Sequence, residues 1–563
     1  MHKYQKSIAV LILMLIFSTW FLYNTKRDLP LIFKKDLLAH DESSNSVVAA
    51  NITRKFFPPM IRINPLNDQQ GNWMEGPFWQ HIPPLFGYVP YVFFKLDGQI
   101  TIEVKRLAYA FVTLLTGLLF IFSAYKFRKS LLSAIGAAIA AIFWINTPFT
   151  RGLITGNAFG VSDIVLAFTF VCSFGVILWY LKGEREERLT YSFQKLAIIA
   201  LIVALPIMAK NLLGAIPAAT FFGLLFFDHK KINKKFVISF ATFFGLLLIY
   251  YLPLYFASPV TFQKEIIVPF FHTAAGYEGW GRSWHWYLTN YLPQRYLLRW
   301  TWVYYLGLIL ALISNFEFRI SKQRDHKDKT LLVVSGGWFV WNLLAVSLIQ
   351  SKIPNFIYQT YLLSLFFIVY SLIIMITTPD LIRGPLQLLK PKRLEYAVVI
   401  ILAISILVTG YEAGRFIKQF KTQRAQAYSY QSEHEKFYQT AEELRAMGLG
   451  TKDLIIVRVS YNDCWFRYYP LFLTGTESKT LLEMSFGFDA NAIKQKYQRM
   501  YFVENDYLIT KFDLTALSAD QTQKAVDVFL SRHKRDIQAD ILRIKKDKTS
   551  CQWLVPDSIL NSP

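Results

Sequence analysis

Cysteine is almost missing from this chain, three in 563 residues, too few for a disulfide framework or a cysteine-based zinc site. Cys172 sits inside an apolar run, so Cys464 with Cys551 is the one pairing left open. Acidic residues are scarce as well, 39 against 61 Lys and Arg, for a formal charge of +22. A nucleic-acid-binding domain would gather that charge into one basic surface. Here it is scattered over Lys3 and Lys6, Lys126/Arg128/Lys129, Lys182/Arg185/Arg188, Lys230/Lys231/Lys234/Lys235, Arg319 to Lys329 and Lys390/Lys392/Arg393. All these clusters can lie on one side of a bilayer, as in cytoplasmic loops, and no nucleic-acid partner is expected. No internal repeat is found, which counts against paired transporter halves. The apolar N-terminus, Met1 to Asn24, is followed by no small-residue cleavage pattern and reads as a retained first helix.

What is abundant is apolar surface: 53% of residues are hydrophobic and 17% aromatic, a load that a soluble domain of this size cannot easily hide from water. Runs long enough to cross ~30 Å of hydrocarbon recur at approximately 8–24, 107–124, 131–149, 161–181, 196–209, 211–227, 236–256, 297–314, 330–350, 355–377 and 396–411. The stretch 196–227 is long for one crossing, and a single crossing would put Lys230 to Lys235 on the wrong side. Two short helices meeting near Lys210 and Asn211 are therefore expected, with a break that is buried in protein or lines a wet cavity.

The expected fold class is mostly α: a polytopic membrane protein of about 11–13 transmembrane helices over 1–411, with a small soluble α/β domain over 412–563. With the N-terminus inside and an odd number of spans, the C-terminal domain emerges outside the cytoplasm. The long loop 25–106, the loop 257–296 and the turn from Ser351 to Asn355 share that face, and function is sought there. Within 412–563 a helical stretch from about Tyr411 to Met447 leads into a β-type run, Leu454 to Val459. This region carries no nucleotide fingerprint or metal-ligand spacing, and a supporting or acceptor-recognition role is expected of it.

The first outer loop opens with Leu38-Ala39-His40-Asp41-Glu42. A carboxylate just above a membrane can serve as a base or orient an acceptor hydroxyl; spacing alone favours a plain helix cap ahead of Ser43-Ser44. Further along are Trp79-Gln80-His81-Ile82-Pro83-Pro84-Leu85-Phe86, where paired prolines fix the backbone, then Lys95-Leu96-Asp97-Gly98 and Val104-Lys105-Arg106-Leu107.

An Asp-Glu after the first span, a Pro-Pro-Leu turn, a short Gly turn and an Arg-Leu start to the next span resemble the GT-C superfamily of membrane glycosyltransferases. The nearest likeness is to the branch of protein O-mannosyltransferases and the bacterial aminoarabinose transferases that modify lipid A. Three later segments agree in order: Ala204 to Gly214 is similar to that family's Leu-Thr-Lys-Gly segment, with Lys210 at its lysine. Ser351 to Tyr358 resembles its Lys-x-Pro-x-Tyr segment, and Ser283-Trp284-His285-Trp286-Tyr287-Leu288 its aromatic stretch before a span. Two departures stand out. His81 and Ile82 take the places of the acid and lysine before the prolines, which removes one phosphate contact, and Phe271-His272-Thr273 has no arginine nearer than Arg282.

The resemblance implies direct displacement with inversion: Asp41 deprotonates or orients an acceptor, and a sugar leaves its polyprenyl phosphate. Lys210 is then the first candidate to stabilise the leaving phosphate, because an ionised lysine between half-spans is costly without an anion; snorkelling to headgroups is the bland alternative. Lys352 and Arg282 are weaker donor-phosphate candidates. Glu42, Asp163 and Trp284 are candidate acceptor or sugar contacts, with a helix cap equally open for Asp163 and an interfacial aromatic belt for the Trp and Tyr cluster. His81, His272 and His285 are candidate ligands of a divalent metal ion. The partners implied are a polyprenyl-phosphate sugar donor and membrane lipid, in a bacterial inner membrane. The competing function is a lipid-linked sugar flippase or transporter without transferase activity.

Overall fold

The computed structural model describes residues 2–35, 40–66, 77–78, 83–156, 162–264, 282–290, 292, 304–312, 326–349, 354–377, 428–458, 467–504, 508–547 and 555–556. In chain order the helices are α1 (His2–Ile32), α2 (His40–Arg54), α3 (Leu85–Asp97), α4 (Ile102–Arg128), α5 (Leu131–Ile145), α6 (Pro148–Thr155), α7 (Ser162–Leu181), α8 (Arg185–Leu189), α9 (Phe193–Lys210), α10 (Ala215–His229), α11 (Lys234–Ala257), α12 (Pro259–Phe262), α13 (His326–Leu348), α14 (Tyr358–Thr377) and α15 (Tyr428–Ala446). They continue with α16 (Tyr468–Thr474), α17 (Leu481–Ser485), α18 (Ala490–Lys496), α19 (Ala519–Arg532) and α20 (Lys534–Asp547), among strands β1 (Asp453–Val457), β2 (Glu477–Thr480), β3 (Arg499–Glu504) and β4 (Leu508–Asp513). The chain divides into two compact units. One comprises Met1–Ile32, Arg106–Phe256 and Ile266–Ala425, the other Phe33–Lys105, Ala257–Glu265 and Gln426–Pro563.

The first unit is the membrane bundle of a multi-pass integral protein. Among the described residues seven helical stretches are long and apolar enough to cross a bilayer, or up to eight if α5 and α6, bent by 62°, count as one span. Of the expected spans, 396–411 lies outside the described residues and 297–314 is described only over 304–312. The α14 span is 89% buried and the α11 span 17%, so α14 is the bundle's centre while α11 turns most of its surface to lipid. With no water to expel between helices, close fit holds such a bundle. Accordingly Gly117 of α4 lies against the Phe17 ring and Gly336 of α13 against Phe367, positions where a Cβ would collide.

The stretch Phe193–His229 is continuous helical backbone, yet it reverses. At 1.5 Å per residue its 37 residues would extend roughly 55 Å, well beyond a bilayer core. Asn211 adopts φ 50° and ψ −136°, and a short 3₁₀ turn, Asn211–Gly214, leads into α10. A Cβ on Gly214 would run into the Pro206 backbone, so α10 starts by folding back on α9. At its far end Asp228 accepts from Tyr180 (2.6 Å) and from Arg188 Nε (2.7 Å), residues that precede α9. The expected pair of helices meeting at Lys210 and Asn211 is thus a hairpin.

The second unit is a four-stranded sheet, order β2-β1-β3-β4, with β2, β1 and β3 parallel and β4 antiparallel to β3. β1 is buried throughout, as a central parallel strand requires. Its core joins Leu454, Ile456, Met500, Phe502, Val526 and Phe529, and includes Leu66 from the chain's early segment. That segment is stitched in further. Asn64 Nδ2 donates to the Thr451 and Lys496 carbonyls, both at 3.1 Å, Lys496 Nζ returns to the Pro65 carbonyl at 2.8 Å, and Arg62 is ion-paired with Glu477 in full burial.

The described part of the stretch 25–106, expected to be a loop, is largely helical. α1 runs on to Ile32 because its polar residues find buried partners: Asn24 bonds the Trp20 carbonyl and Asp28 is ion-paired with Arg151. α3 starts after Pro84 and ends at Gly98, left-handed at φ 78°, where glycine is free of the Cβ penalty.

Candidate functional site

In the second unit Asp41 is the second residue of α2, inside the helix and not at its cap; its side chain lies outside the described residues. Its neighbour Glu42 is closed from solvent. Lys105 Nζ donates to Glu42 Oε1 at 2.8 Å and to Ser46 Oγ at 2.6 Å, and Lys105 is itself 1% exposed. Helical spacing sets Glu42 and Ser46 on one face, and Lys105 bridges them. A buried charge persists only when paired and hydrogen-bonded, so this carboxylate holds α2 in place. At the other end of α2, Arg54 donates to the Leu471 carbonyl (3.1 Å) and the Phe472 carbonyl (2.6 Å) of α16. Burial, with Arg445 adding to it, pulls that guanidinium down to about 9.

In the first unit Lys210 closes α9 and is ion-paired with Asp163, which stands in the first turn of α7; their side chains are 13% and 0% exposed. The break that presents Lys210 is held by α11: Tyr251 donates to Asn211 Oδ1 at 2.9 Å and lies 3.1 Å from the Ile207 carbonyl. Nearby in the fold, Tyr358 opens α14, donates to Thr150 Oγ1 at 3.1 Å and lies within reach of the charge on Asp163. Trp144 stacks on it at 5.7 Å. Asp28 and Arg151 complete a polar seam through an apolar bundle.

Asp163 and Lys210, proposed separately from the sequence, are brought together. Glu42 is placed in a structural ion pair. Arg282, Trp284 and His285 are exposed, Trp284 at 70%, while Tyr287 beside them is buried. Lys352, His81 and His272 lie outside the described residues. His285 Nδ1 lies 3.2 Å from Thr289 Oγ1, one turn along the same segment. Among the described residues no three His, Cys, Asp or Glu converge to hold a metal ion, and of the candidate ligands only His285 is described. Sequence reasoning missed Asp28 and Arg151, and singled out the segment holding Lys105 without giving that lysine a role. The signal was faint: Arg151 follows Thr147-Pro148 at the end of an apolar run, where a charge needs a reason.

The fold defines a polytopic, mostly helical membrane protein with a small α/β region, and several solved structures are similar to it. In particular it is similar to ArnT from Cupriavidus metallidurans bound to undecaprenyl phosphate, with TM-score 0.49 and 12% identity over 84% of this chain and 85% of that one. It is also similar to the oligosaccharyltransferase AglB from Archaeoglobus fulgidus in complex with an inhibitory peptide and a dolichol-phosphate: TM-score 0.47, 11% identity, 89% and 69% covered. A structure of the Archaeoglobus fulgidus oligosaccharyltransferase with Zn and sulfate matches at 0.44 and 11% identity, covering 88% and 67%. At these scores no residue role passes from those proteins to this one. No family model and no curated protein sequence matches the chain.

Proposed function

We propose that the protein is an integral-membrane inverting glycosyltransferase that moves a sugar from a polyprenyl-phosphate donor to an acceptor on the extracytoplasmic face of a bacterial plasma membrane. The observation that carries this reading is the Asp163–Lys210 pair, set where a helical hairpin breaks inside an apolar bundle. A buried ion pair costs several kcal/mol in desolvation per ion and is weak support for stability; in a membrane it marks a functional site by default. The motif order along the sequence supplies the chemistry. Asp41 takes or orients the acceptor proton as the hydroxyl attacks the anomeric carbon. The carbon–oxygen bond to phosphate breaks on the opposite side, and its electron pair stays on the phosphate. Lys210 meets that charge in a water-poor setting, where a fixed cation acts strongly; Asp163 holds the lysine side chain in place until the donor arrives.

The test is sugar transfer from a defined polyprenyl-phosphate sugar by the purified protein. Asp41→Asn should lower turnover by about 100-fold or more, and Lys210→Ala by a similar factor. Full turnover in both variants would refute the assignment, and donor binding without transfer would favour a flippase. Sidedness is checked by cysteine labelling in intact cells: a cysteine at Lys231 should be protected and one at Asp489 accessible.

A further inference from the structure

Arg151 is a buried guanidinium, 6% exposed, on the short helix α6 that follows the bend after α5. Among the described residues its one ionic partner is Asp28, through Nη2, while Nε and Nη1 are buried and meet no hydrogen-bond acceptor there. Asp28 neutralises the charge, but guanidinium carries five N–H donors and does not lose its proton. What is unanswered is therefore a set of donors, and the missing group is rich in acceptor oxygens. The surroundings suit such a group. Thr147 caps α6, and Thr150 and Arg151 follow it at spacings of three and four residues; the Thr147 hydroxyl donates to Thr150 Oγ1 at 2.9 Å. Thr150 in turn accepts from Tyr358, which stands in the field of Asp163, the partner of Lys210.

We infer that Arg151 is a second anion-binding residue of the donor site, taking phosphate oxygens of the polyprenyl phosphate on its Nε–Nη1 edge. The inference rests on the glycosyltransferase reading and adds to it a residue and a mode of contact. The planar fork of arginine fits two phosphate oxygens at once, which a lysine cannot do. Asp28 is then both partner and competitor, holding the guanidinium in place between turnovers.

Titration of a short-chain polyprenyl phosphate into the protein in phosphatidylcholine nanodiscs tests this. Arg151→Lys keeps the charge beside Asp28 and loses the fork; affinity should fall by about tenfold with the melting temperature unchanged. Asp28→Asn frees the guanidinium, and affinity should rise about two- to fivefold, a gain that a purely structural ion pair would not give. Excess phosphatidylglycerol should not compete; equal competition would move the ligand to ordinary phospholipid headgroups and overturn the donor assignment. Wild-type protein that binds the probe while Arg151→Lys binds it equally overturns the role of Arg151 alone. Wild-type protein that binds no polyprenyl phosphate overturns the glycosyltransferase reading and this one with it.

Discussion

Glu42 shows how a neighbour's role can mislead at the scale of single residues. Beside Asp41 in sequence, it reads as a second acceptor contact; in the helix it faces Ser46 and Lys105 and is sealed. Removing one partner of a buried pair leaves the other uncompensated, whereas removing both is far milder. Lys105→Met is therefore expected to cost ~3–5 kcal/mol, and Glu42→Gln with Lys105→Met together clearly less, both read from thermal unfolding of the detergent-purified protein. If the double variant is as unstable as Lys105→Met, the pair is not the lock on α2. The pairing was out of reach of the sequence because 63 positions separate the two residues. Asp28 with Arg151 was hidden for the same reason: each looks like an ordinary charge at the rim of an apolar run.

Among the elements, the α9–α10 hairpin was legible, α3 was not, and of α2 only a helix start near Asp41 was read. Length and charge placement both constrain the stretch 196–227: too long for one crossing, basic at both ends, and therefore reversed. No such double constraint acts on 25–106, where polar and apolar residues alternate without a clean period and partners from the C-terminal region decide the outcome. The turn itself explains its residues. Gly214 meets the Pro206 backbone, a contact that no side-chain rotamer can relieve. Gly214→Ala should therefore cost about 1–3 kcal/mol, seen as a lower melting temperature, while Gly223→Ala on the open face of α10 should change little. Equal effects at the two positions would mean that the reversal has room for a Cβ at Gly214.

On the scale of the whole molecule, the sequence separated a membrane region from a soluble C-terminal one, and the compact units cut the chain differently: Phe33–Lys105 groups with Gln426–Pro563. A boundary read along the chain cannot show that Leu66 completes a core built mostly of residues beyond 453. Ending the chain at Met447 should then strip partners from Arg54, Arg62 and Asn64. Amide exchange across 44–54 and 60–66 is expected to rise by at least about tenfold, with α7 unchanged; protection that survives the truncation would show that α2 stands without the sheet.

That grouping also sets an order of events during synthesis. Arg62 and Glu477 are 415 residues apart, and at ~5–20 residues per second the ribosome needs roughly 20–80 s to supply the second after the first. For that interval a cation destined for full burial, and the leucine four positions beyond it, wait without their counterparts while most of the bundle is threaded into lipid. The nascent chain is therefore most exposed to proteases and to wrong pairings early, in the piece that carries the proposed base, and becomes safe only when its last quarter emerges.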